Sequence, residues 1–421
     1  LLLEKNLTVD KILVVTFPEA ATEDLRTRVR GRLREALAAF QQNQSEDKVL
    51  TDLIQQYTNH EEAIFRLSNA LRGFDEAAIF TIHSFCRQML YNNAFESGAL
   101  FDTELVSDQT PLLREVVEDF WRQYFYTASS LFITYTLANG YSKPANLLKT
   151  LNYGHYVGQP FLKIIPQYQV PSTATQEEAL KAFYAAFTEA QQVWWASSAA
   201  VEELLVSDSN LKRNMYKETS IPLWCKTIDS FLNAQMESIA LPEKFEKFTS
   251  SVLAQSVKKG KVPPQHEFFD VGDKLVNCTR ALSNSFKQHL LALKVKLFQV
   301  AEQSLAQKKL QRHIQSFDDL LINLYKALQG RSGETLANLI RSKYQAALID
   351  EFQDTDPVQY HIFHTMYGTG QHTLFLIGDP KQAIYSFRGA DIFTYMVASR
   401  QATYRHTLDT NWRSEENLIA G

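Results

Sequence analysis

The sequence predicts an α/β fold in which a parallel sheet is interrupted by a long, mainly helical insertion. Near-continuous apolar runs at 11–17 and 77–82 are each followed by a helical stretch, the pattern of strands buried on both faces. Across 101–310 such runs almost vanish and helical periodicity dominates, at 112–125, 177–195 and 281–311. Strand-like runs return at 346–350, 373–378 and 404–408, alternating with helices, which implies a parallel sheet with covered faces. The expected organisation is one sheet domain in two parts, 1–100 and 311–421, with residues 101–310 inserted between them.

Each element has a local reason. Pro18 follows the first strand and can sit in the first turn of a helix running through Ala39, where its missing N–H costs nothing. That helix carries Arg26, Arg28, Arg30, Arg32 and Arg34. Helix is expected again from about Ser84. Prolines at 166, 171, 222, 242, 263 and 264 punctuate the insertion, and Lys258-Lys259-Gly260-Lys261 before two of them reads as an exposed basic loop.

With 421 residues, 45% of them hydrophobic and 21% charged, the chain has apolar material for two or three domains. No run approaches the ~18 apolar residues of a membrane span. The opening Leu1-Leu2-Leu3-Glu4-Lys5 lacks a basic leader and a cleavage site, so it reads as the cut end of a helix. A net charge of −4 neither supports nor excludes nucleic acid, because basic residues can be concentrated locally. Cys86, Cys225 and Cys278 form no CxxC pair, which argues against a disulfide framework or cysteine zinc site and for a reducing cytoplasm.

The chemistry-bearing runs sit at the carboxyl ends of the predicted strands, where ligands bind in such sheets. Ala346-Ala-Leu-Ile-Asp350-Glu351-Phe-Gln353-Asp354 ends an apolar strand in adjacent carboxylates. In nucleotide hydrolases an acid here holds Mg²⁺, a hard cation that prefers oxygen, and a second accepts a proton from the attacking water. Asp350 suits the first role and Glu351 the second. A solvated turn would explain a bare Asp-Glu, but not the whole run followed by Asp356-Pro357 as helix cap and first helical residue.

Gly378-Asp379-Pro380-Lys381-Gln382 continues to Tyr385, Phe387, Arg388 and Gly389. Gln382 suits hydrogen bonding to a γ-phosphate, Tyr385 and Phe387 suit base stacking, and Arg388 is a fixed cationic fork. Phe387 alone could as well be core. Thr16-Phe17 at the first strand end can meet a phosphate and a base, although such ends are common. His83 could hydrogen-bond a DNA backbone, but a lone histidine is more often structural. In Asn411-Trp412-Arg413-Ser414, Arg413 could stabilise γ-phosphate charge and Trp412 stack on adenine; a capping turn is the alternative. Ser316-Phe317-Asp318-Asp319 reads as a helix start with favourable acids rather than a metal site.

Taken together and in this order, these runs resemble the UvrD/Rep-like helicases of superfamily 1, and within them the RecB-like helicase-nuclease subunits. The match also rests on Asp75 through Cys86 and Asn93-Ala-Phe-Glu-Ser-Gly98. The resemblance implies a RecA-like domain of the P-loop NTPase type (helicase domain 1A) with an inserted domain 1B, and ATP and Mg²⁺ as cofactors. It implies Asp350 and Glu351 as the metal and water-activating pair, Gln382 and Arg413 on the γ-phosphate, Trp412 near the nucleotide base, and Arg388 coupling nucleotide to DNA. Thr16, Phe17, His83, Tyr385 and Phe387 would line the single-strand track, and Lys258, Lys259 and Lys261 would touch duplex DNA. The partners implied are single-stranded and duplex-end DNA with RecC-like and RecD-like subunits, for 3′–5′ unwinding in recombinational repair. No G-x-x-x-x-G-K-[ST] loop occurs, so the chain is expected to be a piece of the parent helicase-nuclease without turnover of its own. Pro18 stands where the family usually has a polar residue. The alternatives are another UvrD-type or AddA-like repair helicase, or a DNA-binding scaffold.

Overall fold

The computed structural model describes residues 1–99, 102–152, 157–163, 173–368, 372–384, 389–408 and 415. The chain packs as two compact units: Leu1–Asp108 together with Lys309–Gly421, and Gln109–Lys308.

The first unit is built on a four-stranded sheet. Its strands are β1 (Ile12–Thr16), β2 (Ile79–Thr81), β5 (Ala346–Ile349) and β6 (Thr373–Leu376), in the order β2-β1-β5-β6 and all parallel. Register pairs Val15 with both Phe80 and Ile349, and Ile349 with Leu376. One face of the sheet and the β1–β2 part of the other are covered, while Phe375 on β6 is exposed; the central strand β1 accordingly reads as an unbroken apolar run. Leu13, Val15, Ala347 and Ile349 point into one core with Phe85, Leu320, Leu324, Ile340 and Phe363. Val14 and Ile79 point the other way, against Phe74, Leu25 and Val29.

The strand ends are cut by helix caps. Thr81 accepts the Ser84 N–H and starts the helix Ile82–Asn92. Asp356 caps the helix Pro357–Tyr367, with Pro357 at its first position and Gln359 completing a reciprocal box. Ser316 and Asp319 form the same box at the helix Phe317–Gln329, and the Lys309 ammonium binds the Asp319 carboxylate at 2.7 Å. The paired acids at 318 and 319 thus belong to a helix start. Two three-residue strands, β3 (Glu104–Val106) and β4 (Ile314–Ser316), pair in parallel. The chain therefore leaves and re-enters the first unit at one place.

The second unit is helical, with long helices at Thr173–Ser207 and Glu267–Gln311, the latter ending in the first unit. Aromatic contacts fill it, including Trp194 against Phe268 with ring centroids 4.7 Å apart and Phe132 against Phe286 at 5.3 Å. The three cysteines are free, and no helix among the described residues is long and apolar enough to cross a membrane.

Two expectations are corrected. Residues 404–408 form no strand: Tyr404 is 80% and Leu408 96% exposed, and a strand needs a neighbour to satisfy its backbone. Pro18 lies outside the first helix as its N-cap, in extended backbone, and the helix runs Glu19–Gln42 until Asn43 ends it in the left-handed region.

Candidate active site

The carboxyl ends of β5 and β6 lie side by side, and one glutamine joins them. Beyond Ile349 the chain stays on the ladder for one residue, with Asp350 N–H donating to Val15 O at 2.9 Å. Glu351 then turns into the left-handed region at φ 49°, ψ 41°, uncommon for a residue with a side chain. The turn leaves the Glu351 side chain exposed and lets the Phe352 N–H donate to Ile377 O at 2.8 Å. It also drives Gln353 inward to 2% exposure.

The buried Gln353 amide bridges both strand ends. Its Nε2 donates to Glu351 Oε2 at 2.6 Å, and its Oε1 accepts the Asp379 N–H at 3.0 Å. Only one amide orientation satisfies both partners, because a carboxylate must accept and a backbone N–H must donate. Asp379 in turn accepts Gln382 Nε2 at 3.2 Å through Oδ2 and the Lys381 N–H at 3.0 Å through Oδ1. A hydrogen-bonded line thus runs Glu351–Gln353–Asp379–Gln382. Gly378 closes it from the other side, and its carbonyl accepts the Tyr395 hydroxyl at 3.3 Å.

Electrostatics differ along this line. Burial holds the Asp350 carboxyl above the ordinary carboxylate range, with the Glu351 charge adding to it; the Glu351 N–H and Arg28 oppose. The Lys381 backbone N–H holds Asp379 below that range. Arg28 itself pairs with Asp24 at 2.7 Å on the helix Glu19–Gln42.

The structure therefore joins Glu351 to Gln382 through Gln353 and Asp379, with Asp350 next to Glu351 in the chain. Thr16 ends β1 but is 1% exposed, its hydroxyl 2.6 Å from that of Thr22, so it supports the strand end rather than offering a surface contact. Phe17 is half-buried beside it. His83 opens the helix after β2, its ring edge-on to Phe317 at 5.6 Å, and burial holds its pKa below the usual value, against the pull of Asp318. Lys258, Lys259 and Lys261 lie in the second unit on an exposed turn built around Gly260 at φ 76°. The Lys258 ammonium donates to Ser209 O at 2.7 Å. Tyr385, Phe387, Arg388, Trp412 and Arg413 lie outside the described residues. Gln353 carried no role in the sequence reading. Its signal was its place two residues beyond the predicted base, inside the same run.

Asp350 and Glu351 supply oxygen donors suited to a hard divalent cation. Among the described residues no group of three or more His, Cys, Asp or Glu could hold a metal. Mg²⁺ takes one or two carboxylates and keeps waters and phosphate oxygens, so the donor set of Asp350 and Glu351 is of the kind it uses.

An open parallel sheet in this order, with an acidic pair at the carboxyl end of a central strand, is of the RecA-like α/β class. The sequence pattern of the UvrD/REP helicase N-terminal domain matches residues 1–403, and the chain belongs to that family. It is 37% identical over 418 residues to the RecBCD enzyme subunit RecB of Escherichia coli (strain K12), covering 99% of this chain and 34% of that protein. To the Haemophilus influenzae RecBCD enzyme subunit RecB it is 37% identical over 453 residues, covering 99% and 36%. To that of Mycobacterium tuberculosis (strain ATCC 25618 / H37Rv) it is 26% identical over 420 residues, covering 99% and 27%. The chain spans about a third of the length of the first two relatives.

Proposed function

We propose that this chain is the first motor domain, 1A with its 1B insertion, of an ATP-dependent 3′–5′ DNA helicase. The parent would be a RecB-like subunit that works with RecC-like and RecD-like partners in the cytoplasm, opening duplex ends for recombinational repair and carrying an associated nuclease. The observation that carries the reading is the joined pair of strand ends, where Glu351, next in the chain to Asp350, stands on one hydrogen-bonded line with Gln382.

In this reading Glu351 is the base. Its carboxylate is exposed and fixed by Gln353, ready to accept a proton from a water aimed at the γ-phosphate. Asp350, with Glu351 beside it, would hold Mg²⁺, which when bound neutralises charge on the phosphates. Gln382 reports the γ-phosphate from the adjacent loop, joined by Arg413, with Trp412 against the base and Arg388 between nucleotide and DNA. Phe17, His83, Tyr385 and Phe387 line the single-strand track, with Thr16 holding the β1 end. A neutral His83 suits it to donate one hydrogen bond without adding charge. Lys258, Lys259 and Lys261 supply a basic contact for duplex phosphates.

The test is ATP hydrolysis and strand separation by the full-length protein with its partner subunits. DNA-stimulated hydrolysis and unwinding from a 3′ overhang are expected. Hydrolysis indifferent to DNA would overturn the motor reading.

A further inference from the structure

We infer that Gln353 is a positioning residue for hydrolysis: its amide sets the Glu351 carboxylate and ties it to the loop that carries Gln382. The inference rests on the proposed role of Glu351 as base.

Three observations carry it. Gln353 is among the most buried polar side chains of the first unit, and both ends of its amide are spent on the strand ends, on Glu351 at 2.6 Å and on Asp379 N–H at 3.0 Å. Glu351 sits on a left-handed backbone turn with an exposed side chain, so this hydrogen bond is what restrains a carboxylate otherwise free to rotate. Gly378 leaves no slack: a Cβ there would lie 2.6 Å from Gln353 Oε1, 3.0 Å from Gln353 N and 3.1 Å from Phe352 N. A displacement of the Asp379–Gln382 loop therefore acts on Gln353 through the Asp379 N–H bond, and through Gln353 on the carboxylate. The line gives nucleotide sensing at Gln382 and proton abstraction at Glu351 a shared mechanical part.

The experiment is a double-mutant cycle on single-turnover ATP hydrolysis by the full-length protein in its complex. Gln353→Met keeps the volume and removes both hydrogen bonds; Gln353→Glu keeps the bond from Asp379 N–H and removes the donor to Glu351. Gly378→Ala pushes on the same amide from outside. Each is expected to lower the hydrolysis rate about tenfold, the size of one hydrogen bond to a charged group, with ATP affinity unchanged. In a Glu351→Ala background the same changes are expected to cost nothing more, because the group they position is gone. Equal losses in both backgrounds, a wild-type rate for Gln353→Glu, or losses in all three variants that only follow a lower folded fraction by circular dichroism would overturn the inference. Full hydrolysis by Glu351→Ala alone would instead overturn the base assignment on which it rests.

Discussion

Gly378 packs against Gln353 so closely that no side chain fits between the ends of β5 and β6: an added Cβ would stand 2.6 Å from Gln353 Oε1. Two of the neighbouring atoms are backbone nitrogens, and the third belongs to a buried amide that can yield only by giving up its bonds to Glu351 and Asp379. Gly378→Ala is expected to destabilise the first unit by about 1–3 kcal/mol, the usual cost of overpacking. Urea denaturation of wild type and variant checks this, and an unchanged midpoint would contradict it.

Asp356 caps the helix Pro357–Tyr367 from a half-buried position, and desolvation there pushes its carboxyl up to about 6. The folded protein therefore keeps this proton to higher pH than the unfolded chain, whose aspartates release it near 4. Stability from this group declines as pH rises from about 4 to about 6 and is flat above, by on the order of 2–3 kcal/mol. Asparagine caps as well as aspartate and does not ionise. Asp356→Asn is expected to flatten that slope and raise stability at pH 7 to 8, read by denaturation at several pH values. A slope that persists in the variant would assign it elsewhere.

The basic turn at Lys258, Lys259 and Lys261 tests the second unit. Replacing all three by alanine is expected to weaken duplex binding about equally for every sequence. Each lost phosphate contact lowers the slope of log affinity against log salt by about 0.9. Lys258 also donates to Ser209 O, so its removal loosens the turn itself. Fluorescence anisotropy across a salt series decides; unchanged affinity and slope would remove this turn from the DNA contact.

Burial and the Glu351 charge hold the Asp350 carboxyl above its ordinary range, and a bound cation would oppose both effects. Asp350→Asn is expected to raise the Mg²⁺ concentration needed for half-maximal hydrolysis and to lower turnover by about 100-fold or more. A magnesium titration of variant and wild type reads this directly. An unchanged requirement would place the ion elsewhere.

Much of the sheet was legible because its chemistry is local. The run at 346–349 is apolar on both faces, and Asp356-Pro357 announces a helix by its own capping geometry. The acidic pair was legible for the same reason, standing where that strand must stop. What stayed hidden depends on partners distant in sequence. Residues 404–408 have strand composition but no neighbour to pair with among the described residues. Three-residue β3 and β4 find each other across some two hundred residues, and neither run alone has strand length. Thr16 looked like a surface hydroxyl until Thr22, one helical turn on, took it. Gln353 carries no charge and no periodic signal; its role comes from Asp379, which the fold, not the chain order, sets beside it.

The most direct test of the central claim, that Glu351 activates water at the end of β5, is single-turnover hydrolysis by Glu351→Gln in the full-length protein with DNA and saturating ATP. The account predicts retained ATP binding with hydrolysis slowed by about 10²–10⁴-fold, the contribution of a general base. Wild-type hydrolysis by Glu351→Gln would contradict it.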